Sequence, residues 1–349
     1  MVVEISLRGG CMKYRYVGKS GLRVSPICLG TMTFGTSADK KMAFSLLDMA
    51  FDAGVNFFDT AEIYPVPPQA ETVGITEEIV GEWLQNKNRD AVILATKVAG
   101  AASGWFVPPV RFGLTAIDRH HIVRAVEGSL KRLRTDYIDL YQMHWPDTVV
   151  PKEESMEAFD RLVREGKVRY LGTSNDTAYG TTKANMICHY NGYKRFESIQ
   201  NNFSLLNRRF LDEMVEMCRN EKISLLPYSP MAGGVLSGKY NKDPDVSGRF
   251  SRYATSPDLR VRNMVLRFLN AKTLAATERY ITIAEENDIS PATLAVAWSK
   301  QFDFVASTIV GATNRKQLED SLKAMEIELS GETLARCDEV HNDILYPMG

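Results

Sequence analysis

No run in the sequence approaches the ~20 uninterrupted apolar residues that a helical membrane span requires. Nor does either sign of charge dominate. Forty-two Lys and Arg stand against 43 Asp and Glu, a net charge of −1, which removes the electrostatic case for nucleic-acid binding. Cysteine is scarce and scattered. The five (Cys11, Cys28, Cys188, Cys218 and Cys337) are odd in number and form no Cys-x-x-Cys pair. Neither a disulfide framework nor a metal cluster is therefore expected, and a reducing compartment fits best. The first eleven residues contain Glu4 and Arg8 and lack both an apolar signal core and the Ser- and Arg-rich look of a transit peptide, so cytoplasmic residence is the expectation. No internal repeat, low-complexity tract or break in composition divides the chain.

What recurs instead is a short apolar run rich in β-branched residues. The runs are Pro26–Leu29, Val55–Phe58, Val92–Ala95, Tyr137–Met143, Val168–Leu171, Ser198–Gln200, Ser224–Pro227 and Val305–Val310. Each reads as a strand buried on both faces, the usual state of a parallel sheet. Segments of helical period lie between them: 118–134, with Asp118 as N-cap, then 153–164, 208–221, 272–286, 291–300 and 315–325. Pro291 after Ser290 is a good helix start. Strand starts fall about 26 to 45 residues apart, except for a gap of about 80 before the last, which is the rhythm of βα units. That gap holds a Gly- and Arg-rich loop followed by two helices. Eight such units predict a single (β/α)8 barrel over residues 12–349. A doubly wound sheet is the rival, but the turn after the first strand, Gly30-Thr31-Met32-Thr33-Phe34-Gly35, lacks the Gly-x-Gly-x-x-Gly spacing. Residues 12–24 alternate around Gly18-Lys19-Ser20-Gly21 and predict a β-hairpin plugging the barrel bottom. Residues 1–11 read as a loose N-terminal extension.

The polar residues that end the strands carry the functional signal. In a barrel all eight C-terminal ends meet on one rim, where active sites sit. The second run ends in Asp59-Thr60-Ala61-Glu62-Ile63-Tyr64, the third in Thr96-Lys97 and the fourth in His144-Trp145-Pro146-Asp147. Taken singly, each has a bland reading: a turn cap for Asp59, a snorkelling strand end for Lys97, a satisfied core histidine for His144, proline stacking for Tyr64. Together they make chemical sense. A phenol of pKa near 10 is a poor acid, an ammonium favours its phenolate, and a carboxylate keeps the ammonium charged. Tyr64, Lys97 and Asp59 thus read as a tuned, unusually acidic proton donor, with His144 hydrogen-bonding a carbonyl oxygen. Protonation is half of a carbonyl reduction. The hydride needs a nicotinamide.

The other rims suit such a cofactor. Ser174, Asn175 and Gln200 offer hydroxyl and amide groups to a carboxamide, and Tyr228 offers a flat face. The loop Ser229-Pro230-Met231-Ala232-Gly233-Gly234-Val235-Leu236-Ser237-Gly238-Lys239 can bring N–H groups and a cation to a pyrophosphate, although a flexible Gly-rich loop reads the same way. Gly30, Thr31 and Gly311 are counted with these residues. Arg249, Arg252, Arg260 and Arg262 follow, an excess suited to phosphate or simply an exposed basic loop.

These motifs resemble the aldo-keto reductase superfamily from Lys13 to about His341. The resemblance rests on Phe58-Asp59-Thr60-Ala61-Glu62-Ile63-Tyr64 with Gly74-Ile75-Thr76-Glu77, on His144-Trp145-Pro146-Asp147, and on Gly166–Asn175 ending in Ser174-Asn175. Within the family the sequence resembles the bacterial Tas-like group and, more distantly, potassium-channel β-subunits. The resemblance implies a (β/α)8 fold, NADP(H) laid across the rim and bound before substrate, and a Tyr64/Lys97/Asp59/His144 tetrad. It further implies 2′-phosphate and adenine contacts at Lys239, at Arg249 or Arg252, and around Thr313, Gln317, Asp320 and Ser321, with Arg315 a further candidate. Ser321 stands where relatives usually have Asn. The insert Pro65-Val66-Pro67-Pro68-Gln69-Ala70-Glu71 is a second departure, and its prolines predict a stiffened, narrowed substrate mouth. Trp105 and Phe106 in the loop 99–116, with Met32 and Trp145, are the expected substrate walls, suited to carbonyl compounds with an apolar body.

The leading reading is an NADPH-dependent oxidoreductase of small-molecule aldehydes or ketones. A nicotinamide-binding, redox-sensing regulatory subunit is the alternative. A barrel hydrolase using Asp59 and Glu62 leaves Tyr64, Lys97 and the amide-rich rims without a purpose. Nothing in the sequence sets an oligomeric state.

Overall fold

The computed structural model describes residues 2–7, 10–101, 115–243 and 248–348, with the backbone alone for 2–7 and 10–12. Its first strands form a small antiparallel sheet of β1 (Val2–Leu7), β2 (Gly10–Tyr16) and β3 (Arg23–Val24). The β2–β3 hairpin has the register Arg15↔Val24 and turns where the Val17 and Leu22 backbones pair. Gly18 takes φ +55°, and a Cβ there would sit 2.7 Å from the Glu197 carboxylate, so only glycine lets the turn press against the sheet. Val17, Leu22 and Val24 bury against Cys28, Phe57, Leu140 and Ile309 from inside the barrel. The hairpin is the expected plug. The loose extension expected for residues 1–11 is corrected: residues 2–7 are paired with β2 along their whole length, from Val2↔Arg15 to Leu7↔Gly10.

The eight apolar runs become eight parallel strands: β4 (Ile27–Gly30), β5 (Phe57–Asp59), β6 (Ile93–Val98), β7 (Ile138–Met143), β8 (Val168–Ser174), β9 (Phe196–Gln200), β10 (Ser224–Leu225) and β11 (Thr308–Val310). Their order in the sheet is β10-β9-β8-β7-β6-β5-β4-β11. The ring closes where Leu225 N donates to the Phe304 carbonyl at 2.8 Å and Ala306 N donates to the Leu225 carbonyl at 3.0 Å. Each strand feeds its neighbour through a helix, which makes a (β/α)8 barrel.

Helices α1 (Lys40–Asp52), α2 (Ile75–Leu84), α3 (Arg119–Leu133), α4 (Lys152–Arg164), α5 (Ala178–Asn191) and α6 (Met214–Glu221) follow β4 to β9. The Asp118 carboxylate caps α3 by accepting from His121 N, and Ser290 caps α11 (Pro291–Lys300) by accepting from Thr293 N. The stretch between β10 and β11 is more helical than the two segments expected. It adds α7 (Lys239–Lys242), α8 (Arg249–Ala254) and α9 (Leu259–Phe268) before α10 (Ala271–Glu286) and α11. Helices α12 (Arg315–Lys323) and α13 (Gly331–Asp343) complete the chain. Among the described residues no helix is long and apolar enough to cross a membrane.

Helices α2 and α3 meet at Gly81, where a Cβ would stand 2.7 Å from Leu133 Cα and collide with the Arg132 carbonyl. In an open helix Gly→Ala gains about 1 kcal/mol, but here the added methyl strikes backbone. Gly81→Ala is expected to cost about 1–3 kcal/mol, read as a lower urea midpoint at unchanged m-value.

Candidate active site

Asp59 is the last residue of β5 and Lys97 lies in β6, so the sheet itself sets them side by side. Lys97 Nζ donates to Asp59 Oδ1 at 2.5 Å and to the Thr60 carbonyl at 2.8 Å. The other carboxylate oxygen of Asp59 accepts from Gln142 Nε2 and Gln200 Nε2, both at 3.0 Å, and Gln200 also donates to Gln142 Oε1 at 3.1 Å. Lys97 is fully buried and Asp59 is 2% exposed. Burial works against the ammonium, yet Asp59 and the nearby Tyr64 hold its pKa above the ordinary 10.5. A raised lysine pKa keeps the pair intact at neutral pH, its stabilisation lost only as pH climbs through that value.

Tyr64 follows on the β5–α2 loop, with its ring centre 5.0 Å from Lys97 Nζ and 5.8 Å, edge-on, from the His144 imidazole. The expectation of an unusually acidic phenol is corrected. Burial pushes the Tyr64 pKa up, Lys97 pulls it down, Asp59 adds to the rise, and the result lies above 10. His144 moves the other way, well below 6.5, because burial and then the Lys97 charge disfavour imidazolium. It is a neutral ring whose Nδ1 is buried without a hydrogen-bond partner among the described residues. Trp145 stacks on it at 3.8 Å between ring centres and is 43% exposed.

The next rims interlock. Ser174 Oγ donates to the Gln200 carbonyl at 2.7 Å. Asn175, at φ +55°, donates from Nδ2 to the His144 carbonyl at 2.9 Å and accepts at Oδ1 from Tyr228 Oη at 2.8 Å. Gln142 went unnoticed in the sequence, yet with Gln200 it holds Asp59. Its signal is a buried amide inside an otherwise apolar strand.

These residues floor a cleft of about 1260 Å3. Asp59, Tyr64, His144 and Trp145 line it with Met32, Gly30, Thr31, Ser174, Asn175, Gln200, Tyr228, Ser229, Pro230, Met231 and Gly233. Lys239, Arg249, Arg252, Gly311, Thr313, Gln317 and Asp320 line it as well. Lys97 lies beneath Asp59, off the wall. Leu236 is in the core, and Gly238 faces Ile281. Ser321 is buried with Oγ donating to the Gln317 carbonyl, and Arg315 donates to Ser45 Oγ at 2.7 Å. Arg260 pairs with Asp258, and Arg262 donates to the Ser256 carbonyl. Trp105 and Phe106 lie outside the described residues. Asn263, Met264, Arg267 and Phe268 of α9 and Tyr253 of α8 also line the cleft, unanticipated because this part of the β10–β11 stretch reads as a basic loop.

Lys239, Arg249 and Arg252 form a cationic group with no carboxylate in salt-bridge range among the described residues. Burial and then its two arginine neighbours push the Lys239 pKa down, and burial likewise lowers that of Arg249. Mutual repulsion of this kind is what an anion relieves. Arg252 Nη2 donates to Ser37 Oγ at 3.2 Å, and Tyr253 Oη donates to the Val66 carbonyl at 3.4 Å, so α8 spans to the loops after β4 and β5.

An ion pair, a phenol and a neutral imidazole at the C-terminal rim of a (β/α)8 barrel define the active-site face of a barrel enzyme. The aldo/keto reductase family pattern matches residues 26–342. The chain is 36% identical over 360 residues to "Protein tas" of Escherichia coli, covering 96% of this chain and 99% of that protein. It is 34% identical to the "Probable voltage-gated potassium channel subunit beta" of Arabidopsis thaliana, covering 90% and 92%, and 30% identical to an aryl-alcohol dehydrogenase of Pestalotiopsis microspora, covering 94% and 82%. The chain belongs to the aldo/keto reductase family of oxidoreductases.

Removing one partner of a buried ion pair strands the other. Lys97→Met is expected to cost about 3–5 kcal/mol, and adding Asp59→Asn to recover part of it, as read from urea midpoints of the single and double variants.

Proposed function

We propose that the protein is an NADPH-dependent reductase of aldehydes and ketones. The observation that carries this reading is the buried Asp59–Lys97 pair set beneath the Tyr64 phenol at the floor of a cleft larger than a small substrate needs. A bound nicotinamide supplies hydride to the carbonyl carbon. Tyr64 Oη gives its proton to the carbonyl oxygen as negative charge develops there, and Lys97 stabilises the phenolate left behind. The raised resting pKa keeps the proton on Tyr64 until it is needed. His144, held neutral, donates a hydrogen bond to the same oxygen.

The residues present fit the cofactor. The Lys239, Arg249 and Arg252 group, with no carboxylate partner among the described residues, suits a 2′-phosphate. Ser229, Pro230, Met231 and Gly233 would hold the pyrophosphate, and Gly30, Thr31 and Gly311 line the same cleft and would contact the cofactor. Thr313, Gln317 and Asp320 suit adenine. Ser174, Asn175 and Gln200 suit the carboxamide, and Tyr228 suits the ring face. Met32, Val66 and Trp145 are apolar walls for the substrate body. The four described cysteines are free and buried, which suits the cytoplasm.

Tyr64→Phe is expected to lower kcat by about 10²–10⁴-fold with NADPH Kd within about twofold of wild type by fluorescence titration. Undiminished turnover would end its assignment as the acid. Wild-type protein that retains NADPH yet reduces no aldehyde in a panel would instead favour the redox-sensing reading.

The pKa directions fix the pH response. Tyr64 remains protonated until pH exceeds 10, and His144 remains neutral to well below 6.5. The single-turnover reduction rate is therefore expected to be flat from about pH 7 to about pH 9. A fall centred inside that window would contradict the assignment.

A further inference from the structure

Glu62 lies three residues after Asp59 and two before Tyr64, but its carboxylate is engaged away from the reacting groups. Oε1 accepts the N–H of Ala99, the first residue after β6, at 2.6 Å. The Ala99 carbonyl in turn meets His121 Nε2 at 3.1 Å, and that nitrogen stands 3.7 Å from Glu62 Oε1. Both ends of the Ala99 residue are thus held by side chains, Glu62 from the loop that carries Tyr64 and His121 from α3. A third tie is the Glu62 N–H, which donates to the Lys97 carbonyl at 3.3 Å.

The held segment is a wall of the cleft. Ala99, Gly100 and Ala101 line it, and Ala99 packs in one apolar cluster with Ala61, Ile63 and Tyr64. Gly100 lies so close to Trp145 that a Cβ would stand 2.7 Å from the Trp145 Cβ, while its carbonyl accepts from Thr115 Oγ1 at 2.9 Å. Moving Ala99 would therefore move the wall against both Tyr64 and the indole stacked on His144.

A carboxylate is an expensive residue for this place. Fully buried Glu77 of α2 lies near Glu62, paired with Arg132 of α3 at 2.7 Å and accepting from Thr96 at 2.5 Å. Tyr141 of β7 lies near both carboxylates. Burial pushes the Glu62 carboxyl up to about 7, with the Ala99 N–H opposing, Glu77 adding and Arg132 opposing. A folded pKa raised above the ordinary 4.5 means that the neutral form is favoured at low pH and that this advantage is lost as pH rises through about 7. An ionised Glu62 thus destabilises the fold, and such residues cluster where function needs them.

We propose that Glu62 is a positioning residue that latches the Ala99–Ala101 wall to the Tyr64 loop and so fixes where the body of a carbonyl substrate rests relative to the phenol. The proposal rests on the reductase reading above. It assigns Glu62 no contact with substrate, cofactor or the transferred proton.

The test compares Glu62→Ala and Glu62→Gln with wild type, using benzaldehyde as substrate. E62A is expected to raise the benzaldehyde KM about tenfold, with kcat and the NADPH Kd within about twofold. E62Q, whose amide oxygen still accepts from Ala99, is expected to restore KM. E62Q also lacks the buried charge, so at pH 8 its Tm is expected to equal or exceed that of wild type, which confirms that it folds. An unchanged KM in E62A, a KM in E62Q as high as in E62A, or KM and NADPH Kd rising together would overturn the latch. The same comparison is read as benzaldehyde Kd on the NADP+-loaded protein by tryptophan fluorescence. That readout decides the latch without turnover, whereas absence of turnover in wild type counts against the reductase reading alone.

Discussion

The buried pair of Asp59 and Lys97 is the constraint around which the rim is organised. Two charges taken out of water in a barrel floor cost more than their attraction returns unless every remaining oxygen and proton is satisfied. Four strands meet that condition: β5 supplies the carboxylate, β6 the ammonium, and β7 and β9 the two glutamine amides that fill the second carboxylate oxygen. Only a closed or nearly closed sheet brings residues 59, 97, 142 and 200 to one point, so the barrel and the ion pair require each other. Hydrophobic residues of similar volume would make as stable a floor. The pair is therefore better understood as a device for placing a positive charge under a phenol.

That placement also explains why elementary electrostatics gives the wrong sign for Tyr64 at rest. The argument from an ammonium neighbour predicts a lowered pKa, and Lys97 does exert that pull. What it omits is that Asp59 lies beside Lys97, so Tyr64 feels a dipole rather than a free cation, while burial disfavours phenolate outright. The two statements refer to different moments. At rest the phenol is protonated and neutral; in the reduction proposed above, where its proton would pass to an oxygen in the cleft, the ammonium would already be in position to oppose the new charge, with no solvent reorganisation required.

The strands were legible because they are buried on both faces: all eight apolar runs mark strands, and the observed limits differ from them by only a few residues. The residues Asp59, Tyr64, Lys97 and His144 could be set on one rim because strand polarity in a (β/α)8 barrel leaves no choice of end. What escaped was whatever depends on distance across the barrel. Gln142 and Gln200 reach Asp59 from 83 and 141 residues away, and no local pattern marks such a partnership. Helix α9 escaped for a different reason. Its Val261, Met264, Val265 and Phe268 do recur at helical spacing on one buried face, but the arginines between them, Arg260, Arg262 and Arg267, make the segment read as a basic loop. Ser321 and Arg315 show the limit of carrying residues over by alignment of motifs: both lie on α12 beside Gln317 and Asp320, yet one bonds back to its own helix and the other reaches α1.

The cleft is divided by what holds its walls. The end lined by Ser174, Asn175, Gln200 and Tyr228 is built from strand termini, cross-linked by side-chain hydrogen bonds and anchored in the barrel core. Such a wall cannot shift without disturbing the sheet. The Tyr64 side is bounded instead by loops, 64–68 and the segment beginning at Ala99, and by an insert that touches the first of them through Tyr253. Loops change without unfolding the barrel beneath them. In the reductase proposed above, the strand-built wall would take the cofactor and the loop-built side the substrate, and the line between the two passes through Tyr64. Its ring packs with the loop-built wall at Ala99, while the charge beneath it belongs to the sheet.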